Sequence, residues 1–150
     1  MQTMHISPIL TEIFGLTMIA LALKALLLGT CTAATRGRLK SFLHAEDAAW
    51  LGGAHVNPDP EAVARFGRAH RNDLENLLPF FIAGVFYVIA GGPVWAGAIY
   101  CGAFAIGRVL HTFAYLHARP ALRRNGYTIG FLAIVAISLH AAWLLTRSLS

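Results

Sequence analysis

The chain has 150 residues, 57% of them hydrophobic and 13% charged, against roughly a quarter charged in soluble domains, so a water-soluble globular domain is excluded and an integral membrane protein is expected. The net charge of +5 comes from ten Arg and two Lys that sit beside long apolar runs and form no single basic stripe, which excludes a nucleic-acid binder. One domain is expected over residues 1–150, its helices packing on each other and on lipid.

In chain order, apolar segments run from Ile9 to Ala34, Leu77 to Ala90, Val94 to Gly107 and Gly126 to Thr146. No Lys or Arg precedes Lys24 and Glu12 stands in the opening stretch, so a cleaved basic leader is not expected and the first segment is retained. Crossing the ~30 Å hydrocarbon core takes ~20 helical residues. The first and fourth segments meet that length alone, whereas the second and third must borrow polar neighbours. Gly91, Gly92 and Pro93 form a tight turn between those two, so the second helix extends backwards through Asn76, Glu75, Asp73, Asn72 and Arg71. The third extends forwards through Arg108, His111, Thr112 and Tyr115. Four helices are predicted at about 9–35, 62–90, 94–117 and 121–147, with both polar extensions at one membrane side.

The stretch Arg36 to Arg68 carries five basic residues, and Arg119, Arg123 and Arg124 follow the third helix, while the N-terminus and the Gly91–Pro93 turn carry none. Both basic loops are therefore expected to be cytoplasmic. The multi-pass chain would lie in a bacterial inner membrane or the endoplasmic reticulum; the excess of Arg over Lys hints at the former.

Ionisable groups at membrane depth are costly, by ~2.5–3.5 kcal/mol at the centre on insertion scales, and normally face a bundle interior or a wet cavity. Arg68, Arg71, Asn72 and Glu75 are spaced i, i+3, i+4, i+7 along one helical face, and Arg108, His111, Thr112 and Tyr115 repeat that spacing. The structural alternative is self-pairing of Arg and Glu across helices. Against it, Arg68, Arg71, Arg108, Arg123 and Arg124 outnumber Asp73, Glu75 and Asp47, and the surplus favours an anionic polar ligand. Lys24 in the first span is expected to snorkel or to pair with a neighbour. His140 is expected to be packed, and His44, His55 and His117 to lie in loops. Cys31 and Cys101 fall within apolar segments without CxxC spacing, so neither a disulfide framework nor a metal site is expected. Pro79 frees the carbonyl of residue 75 and is expected to bend the second helix. Ala98, Gly102, Ala103 and Gly107 permit close helix approach on the third.

The stretch Arg68-Ala-His-Arg-Asn-Asp-Leu-Glu-Asn-Leu-Leu-Pro79-Phe, with Gly107-Arg-Val-Leu-His-Thr-Phe-Ala-Tyr-Leu116, resembles the family of membrane-associated proteins in eicosanoid and glutathione metabolism (MAPEG). Within it, the nearest branch is that of microsomal glutathione transferase and microsomal prostaglandin E synthase. The resemblance extends over almost the whole chain, including Lys24, Arg36 and Glu46-Asp47-Ala48. It implies an all-α integral membrane four-helix bundle assembled as a homotrimer, with glutathione held between subunits near the cytoplasmic side. The glutathione contacts it implies are Arg36, Arg71, Asn72, Glu75, His111, Tyr115, Arg123 and Tyr127, with Arg68 and Arg108 at family positions of partly structural role. Glu75 would hold the glutathione ammonium and the arginines its two carboxylates.

The activity implied is that of a glutathione transferase or glutathione peroxidase, a detoxification role, in which the thiolate attacks a hydrophobic electrophile or lipid hydroperoxide arriving from the bilayer. Arg123 is the expected thiolate-stabilising residue, with Asp47 orienting it or relaying a proton. The segment between Tyr115 and Tyr127 is one residue shorter than in the prostaglandin synthase, so Arg124 is the rival for that position, which weakens the transfer of isomerase activity. The alternatives are a non-catalytic lipid-binding member of the same fold, a glutathione-dependent isomerase, and a small channel or transporter. The channel is disfavoured because the polar residues gather at one end of the path.

Overall fold

The computed structural model describes residues 6–147. Four long helices are apolar enough to span a membrane: α1 (Pro8–Leu39), α3 (Glu61–Ile89), α4 (Val94–Leu116) and α5 (Pro120–Arg147). A short helix, α2 (Ala45–Leu51), lies in the loop between α1 and α3. The architecture is an all-α integral membrane four-helix bundle.

Helix α1 begins where Ser7 accepts a hydrogen bond from the Leu10 amide and Pro8 opens the first turn, the arrangement in which a missing proline N–H is harmless. It runs past Gly37 and stops at Lys40, which takes the left-handed conformation (φ 51°) and donates its amide to the carbonyls of Arg36 and Gly37. The helix thus outlasts its apolar segment, because hydrogen bonding and not hydrophobicity ends it. Leu10, Phe14, Leu21, Ala25 and Leu28 turn inward, while Leu16, Ile19, Leu23, Leu26 and Leu27 are exposed. A helix apolar all round is suited to contact with both protein and lipid.

The Gly91–Pro93 turn joins α3 and α4 as expected, with Gly91 at φ 70° and the Tyr87 hydroxyl donating to the Pro93 carbonyl at 2.8 Å. Helix α3 continues through Pro79, and the Asn76 side-chain amide donates to the Asn72 carbonyl one turn earlier. Phe80 and Phe104 stack with ring centroids 3.9 Å apart, and a β-carbon at Gly84 would collide with the Phe14 ring. These contacts lock α1, α3 and α4 together.

Helices α4 and α5 approach most closely where Gly107 faces Gly126 and Gly130. A β-carbon at Gly107 would lie 2.7 Å from the Gly130 amide nitrogen, and one at Gly126 would lie 2.6 Å from the His111 amide nitrogen. Of the small residues expected to pack on α4, Gly107 does so, whereas Gly102 has nothing within 4 Å of a β-carbon and Ala98 is exposed. Small residues four apart let helix backbones approach closely. Gly126 and Gly130 have that spacing on the opposing helix.

The basic loop contains a two-residue parallel bridge, Ser41–Phe42 with Ala54–His55, which no periodicity announces. Phe42 is buried there, and a β-carbon at Gly53 would meet the Lys40 carbonyl and the Phe42 ring at 2.5 Å.

Candidate functional site

The polar extensions of α3 and α4 meet inside the bundle, and α1 contributes to them. Asp73 is buried and takes one cation on each oxygen: Lys24 Nζ at 2.5 Å on Oδ2 and Arg108 Nε at 3.1 Å on Oδ1. Lys24 also donates to the Thr112 hydroxyl at 2.7 Å and to the Arg108 carbonyl at 3.3 Å. Arg108 Nη2 reaches Asn72 Oδ1 at 2.6 Å and His111 Nδ1 at 3.0 Å. Two cations share one carboxylate, which is how charge is tolerated inside a bundle, and of the Arg108 nitrogens Nη1 alone is buried with no hydrogen-bond partner among the described residues. Lys24 therefore pairs, one of the two outcomes expected for it.

The single polar face expected on α3 is corrected by this geometry. Asn72 and Asp73 turn inward to Arg108, whereas Arg71 and Glu75 are exposed beside the exposed apolar residues Leu74 and Leu78. Successive helical residues differ by about 100°, so a stripe at i, i+3, i+4, i+7 is broad enough to be divided between two neighbours. The stripe on α4 stays together on the inner side: Arg108, His111 and Thr112 are buried and Tyr115 is half-buried at their end.

From His111 the polar path leads to the basic end of the bundle. The His111 ring lies 5.5 Å from that of Tyr115 and 6.5 Å from that of Tyr127. The Arg123 guanidinium sits over the Tyr115 ring at 4.8 Å, and that of Arg68 lies 5.9 Å from it. Arg68 also pairs with Glu61 at 2.7 Å, and Arg65 joins the same carboxylate at 3.0 Å. Glu61, Arg65, Arg68, Tyr115 and Arg123 line a cleft of about 250 Å³ together with Ala118 and Pro120. It holds three arginines against one carboxylate.

The other predicted contacts lie apart from this cleft. Arg36 makes a two-pronged pair with Asp59, at 3.1 Å and 2.6 Å. Asp47 is half-buried on α2 and makes no ion pair among the described residues; nothing joins it to Arg123. Arg124 is exposed, with its carbonyl accepting from Thr128. Asp59, Glu61 and Arg65 are participants that residue spacing did not single out. The acidic Asp59-Pro-Glu61 segment opening a helix that carries Arg65 and Arg68 was the available signal.

Cys31 is half-buried and Cys101 buried, both as free thiols. His140 is packed against Tyr87, Tyr100 and Trp143, with its Nδ1 3.0 Å from the Tyr100 hydroxyl.

Four apolar spans around a paired charge cluster, with a basic cleft at one end, define a four-span helical membrane protein with its polar groups gathered near one face. The MAPEG family model matches residues 14–143, and the chain belongs to that family. It is 35% identical over 131 residues to the prostaglandin E synthase of Homo sapiens, covering 86% of each chain. Its identity to that of Equus caballus is 34% over 130 residues, covering 86% of this chain and 85% of the relative. The microsomal glutathione S-transferase 1 of Rattus norvegicus is 34% identical over 129 residues, covering 83% and 81%.

Proposed function

We propose that the chain is a membrane-bound enzyme that holds glutathione at the basic end of the bundle and uses its thiolate against a hydrophobic electrophile or a lipid hydroperoxide. The observation carrying this reading is the Arg123 guanidinium over Tyr115, in a cleft where Arg65, Arg68 and Arg123 face one Glu. A cation beside a thiol favours its charged form. The names of the relatives, a glutathione S-transferase and prostaglandin E synthases, support the same class.

In this reading Arg123 stabilises the thiolate, and its place over the cleft supports it over Arg124. Asn72, His111, Tyr115 and Tyr127 contact the bound tripeptide from within one subunit. Arg36, Arg71 and Glu75 complete the site across a subunit boundary, with Glu75 on the glutathione ammonium. Two observations support a second copy there. Arg71 and Glu75 are exposed on a helix able to span the membrane, beside exposed Leu74 and Leu78, and uncovered charge within a span is costly. The cleft's volume of about 250 Å³ also falls below the ~300–1,000 Å³ usual for ligand pockets. The homotrimer is accordingly proposed as the working form, with the native mass in detergent as its measure. Asp47 keeps only an auxiliary role, as a neighbouring charge of Arg36.

The placement of basic residues supports an orientation with α2 and the α4–α5 turn in the cytoplasm. A cysteine placed at Asn57, with Cys31 and Cys101 replaced, is then protected from an impermeant thiol reagent in sealed right-side-out vesicles. Ready labelling reverses the orientation.

Conjugation joins the glutathione sulfur to the electrophilic carbon as the leaving group departs. Peroxide reduction instead consumes two glutathiones to give their disulfide, an alcohol and water. Purified protein assayed in parallel with an aryl halide and a lipid hydroperoxide is expected to turn over at least one of them, dependent on glutathione. The relatives' names favour prostaglandin E synthesis as the second reading, tested by assaying the same preparation for glutathione-dependent formation of prostaglandin E. Inactivity in all three assays sinks the enzymatic reading.

A further inference from the structure

Arg108 is fully buried and directs its Nε and Nη2 protons at three neighbours, Asp73, Asn72 and His111. A guanidinium carries donors and no acceptor, so whatever faces it must accept. The heavy-atom outline of an amide or an imidazole does not show which end donates; a guanidinium neighbour decides it. Asn72 turns its Oδ1 to Arg108 at 2.6 Å and keeps both Nδ2 protons for other partners. At 3.0 Å, His111 Nδ1 accepts, which puts the ring proton on Nε2.

We propose that Arg108 is a positioning residue that sets the hydrogen-bonding polarity of the site. By occupying the acceptor ends of Asn72 and His111, it presents Asn72 Nδ2–H and His111 Nε2–H as donors to carboxylate or amide oxygens of the ligand. This rests on the glutathione reading above. It adds that His111 meets the tripeptide as a donor and is not the base that removes the thiol proton. Nε2 has no partner among the described residues, and its ring neighbours Tyr115 and Tyr127.

The rest of the buried cluster keeps Arg108 in this pose. Its Nε is tied to one oxygen of Asp73, whose other oxygen is held by Lys24, and Lys24 is itself held by Thr112 and the Arg108 carbonyl. Swinging the guanidinium away from His111 would leave Asp73 with one cation and a bare buried oxygen. Three helices thus cooperate to fix the tautomer of one ring.

Nitrogen-15 NMR of the histidine-labelled full chain in lipid nanodiscs tests this, with the His111 signals identified by their loss in His111→Gln. At neutral pH and without glutathione, the expected spectrum shows Nδ1 bare and Nε2 protonated. In Arg108→Lys, whose single ammonium does not reach both neighbours, the His111 signals move towards a mixture of tautomers. A wild-type ring protonated on Nδ1, or on both nitrogens, overturns the proposal, as does an unchanged His111 spectrum in Arg108→Lys. If that variant does not assemble, the wild-type spectrum decides alone.

The spectrum is recorded without ligand, so it is independent of the glutathione reading, which fails separately if calorimetry detects no glutathione binding to wild type. Where glutathione binds, Arg108→Lys is expected to raise its Kd about threefold to tenfold, the scale of one or two hydrogen bonds. It should raise the Kd no further in an Asn72→Ala/His111→Ala background. Equal loss in both backgrounds overturns the positioning role.

Discussion

Asp73 joins α1 to α4 by accepting Lys24 on one oxygen and Arg108 on the other. Removing one partner of a buried ion pair costs about 3–5 kcal/mol, since it strands the remaining charge. Asp73→Asn strands two cations and is expected to lower thermal stability in detergent by at least that scale. Leu74→Ala, at an exposed neighbour, should do far less. Equal melting of the two variants would show that the triad is not a stabilising element. The sequence made the need for pairing legible, because Lys24, Asp73 and Arg108 stand at membrane depth. It did not make the partners legible, because pairing across 49 and 35 residues depends on the relative rotation of helices. The same ignorance of rotation made Asn72 and Glu75 look like one face, although Asn72 serves Arg108 inside and Glu75 faces outward.

At the level of helices, the position of His111 is set by contact between backbones. Gly126 lies against the His111 amide, and Gly107 lies against Gly126 and Gly130. Gly107→Ala would place a methyl against backbone that cannot move aside, forcing α4 from α5 at a cost of about 1–3 kcal/mol, the usual scale of overpacking. Gly102→Ala, with open space at its β-carbon, is the matched control. A melting-temperature comparison checks this, and equal stability of the two variants contradicts the close-packed α4–α5 seam. Small residues on α4 were visible in the sequence, but Gly107 could not be told from Gly102 until the facing helix supplied Gly126 and Gly130. The four spans were legible because length and apolarity are imposed by the bilayer. The loop was not: a seven-residue α2 and a two-residue bridge are too short to show a period, and tertiary contacts such as Phe42 against Gly53 define them.

Across the whole molecule, an apolar bundle places its positive surplus at one end, where Arg123, Arg68 and Arg65 gather about Tyr115 and Glu61. Spacing alone indicated a surplus of Arg over carboxylates near that end. Resemblance supplied glutathione as the anion and Arg123 as the residue at its sulfur, neither of which periodicity carries. The structure adds that His111, Tyr115, Tyr127 and Arg123 neighbour one another, while Arg71 and Glu75 are exposed, a division that the proposed homotrimer would account for. Binding and activation then separate by residue. Loss of a group that only binds weakens glutathione affinity, whereas loss of the thiolate's counter-charge lowers the saturated rate. The most direct measurement is the ultraviolet thiolate absorbance of the glutathione complex in wild type, Arg123→Ala and Glu75→Gln, with affinity measured by calorimetry on the same samples. The account predicts a thiolate band in wild type and its loss in Arg123→Ala with glutathione still bound. In Glu75→Gln the band should persist once saturated, with affinity weakened by roughly 1–3 kcal/mol. An undiminished band in Arg123→Ala at full occupancy would contradict the assignment of Arg123 as the residue that activates the thiol.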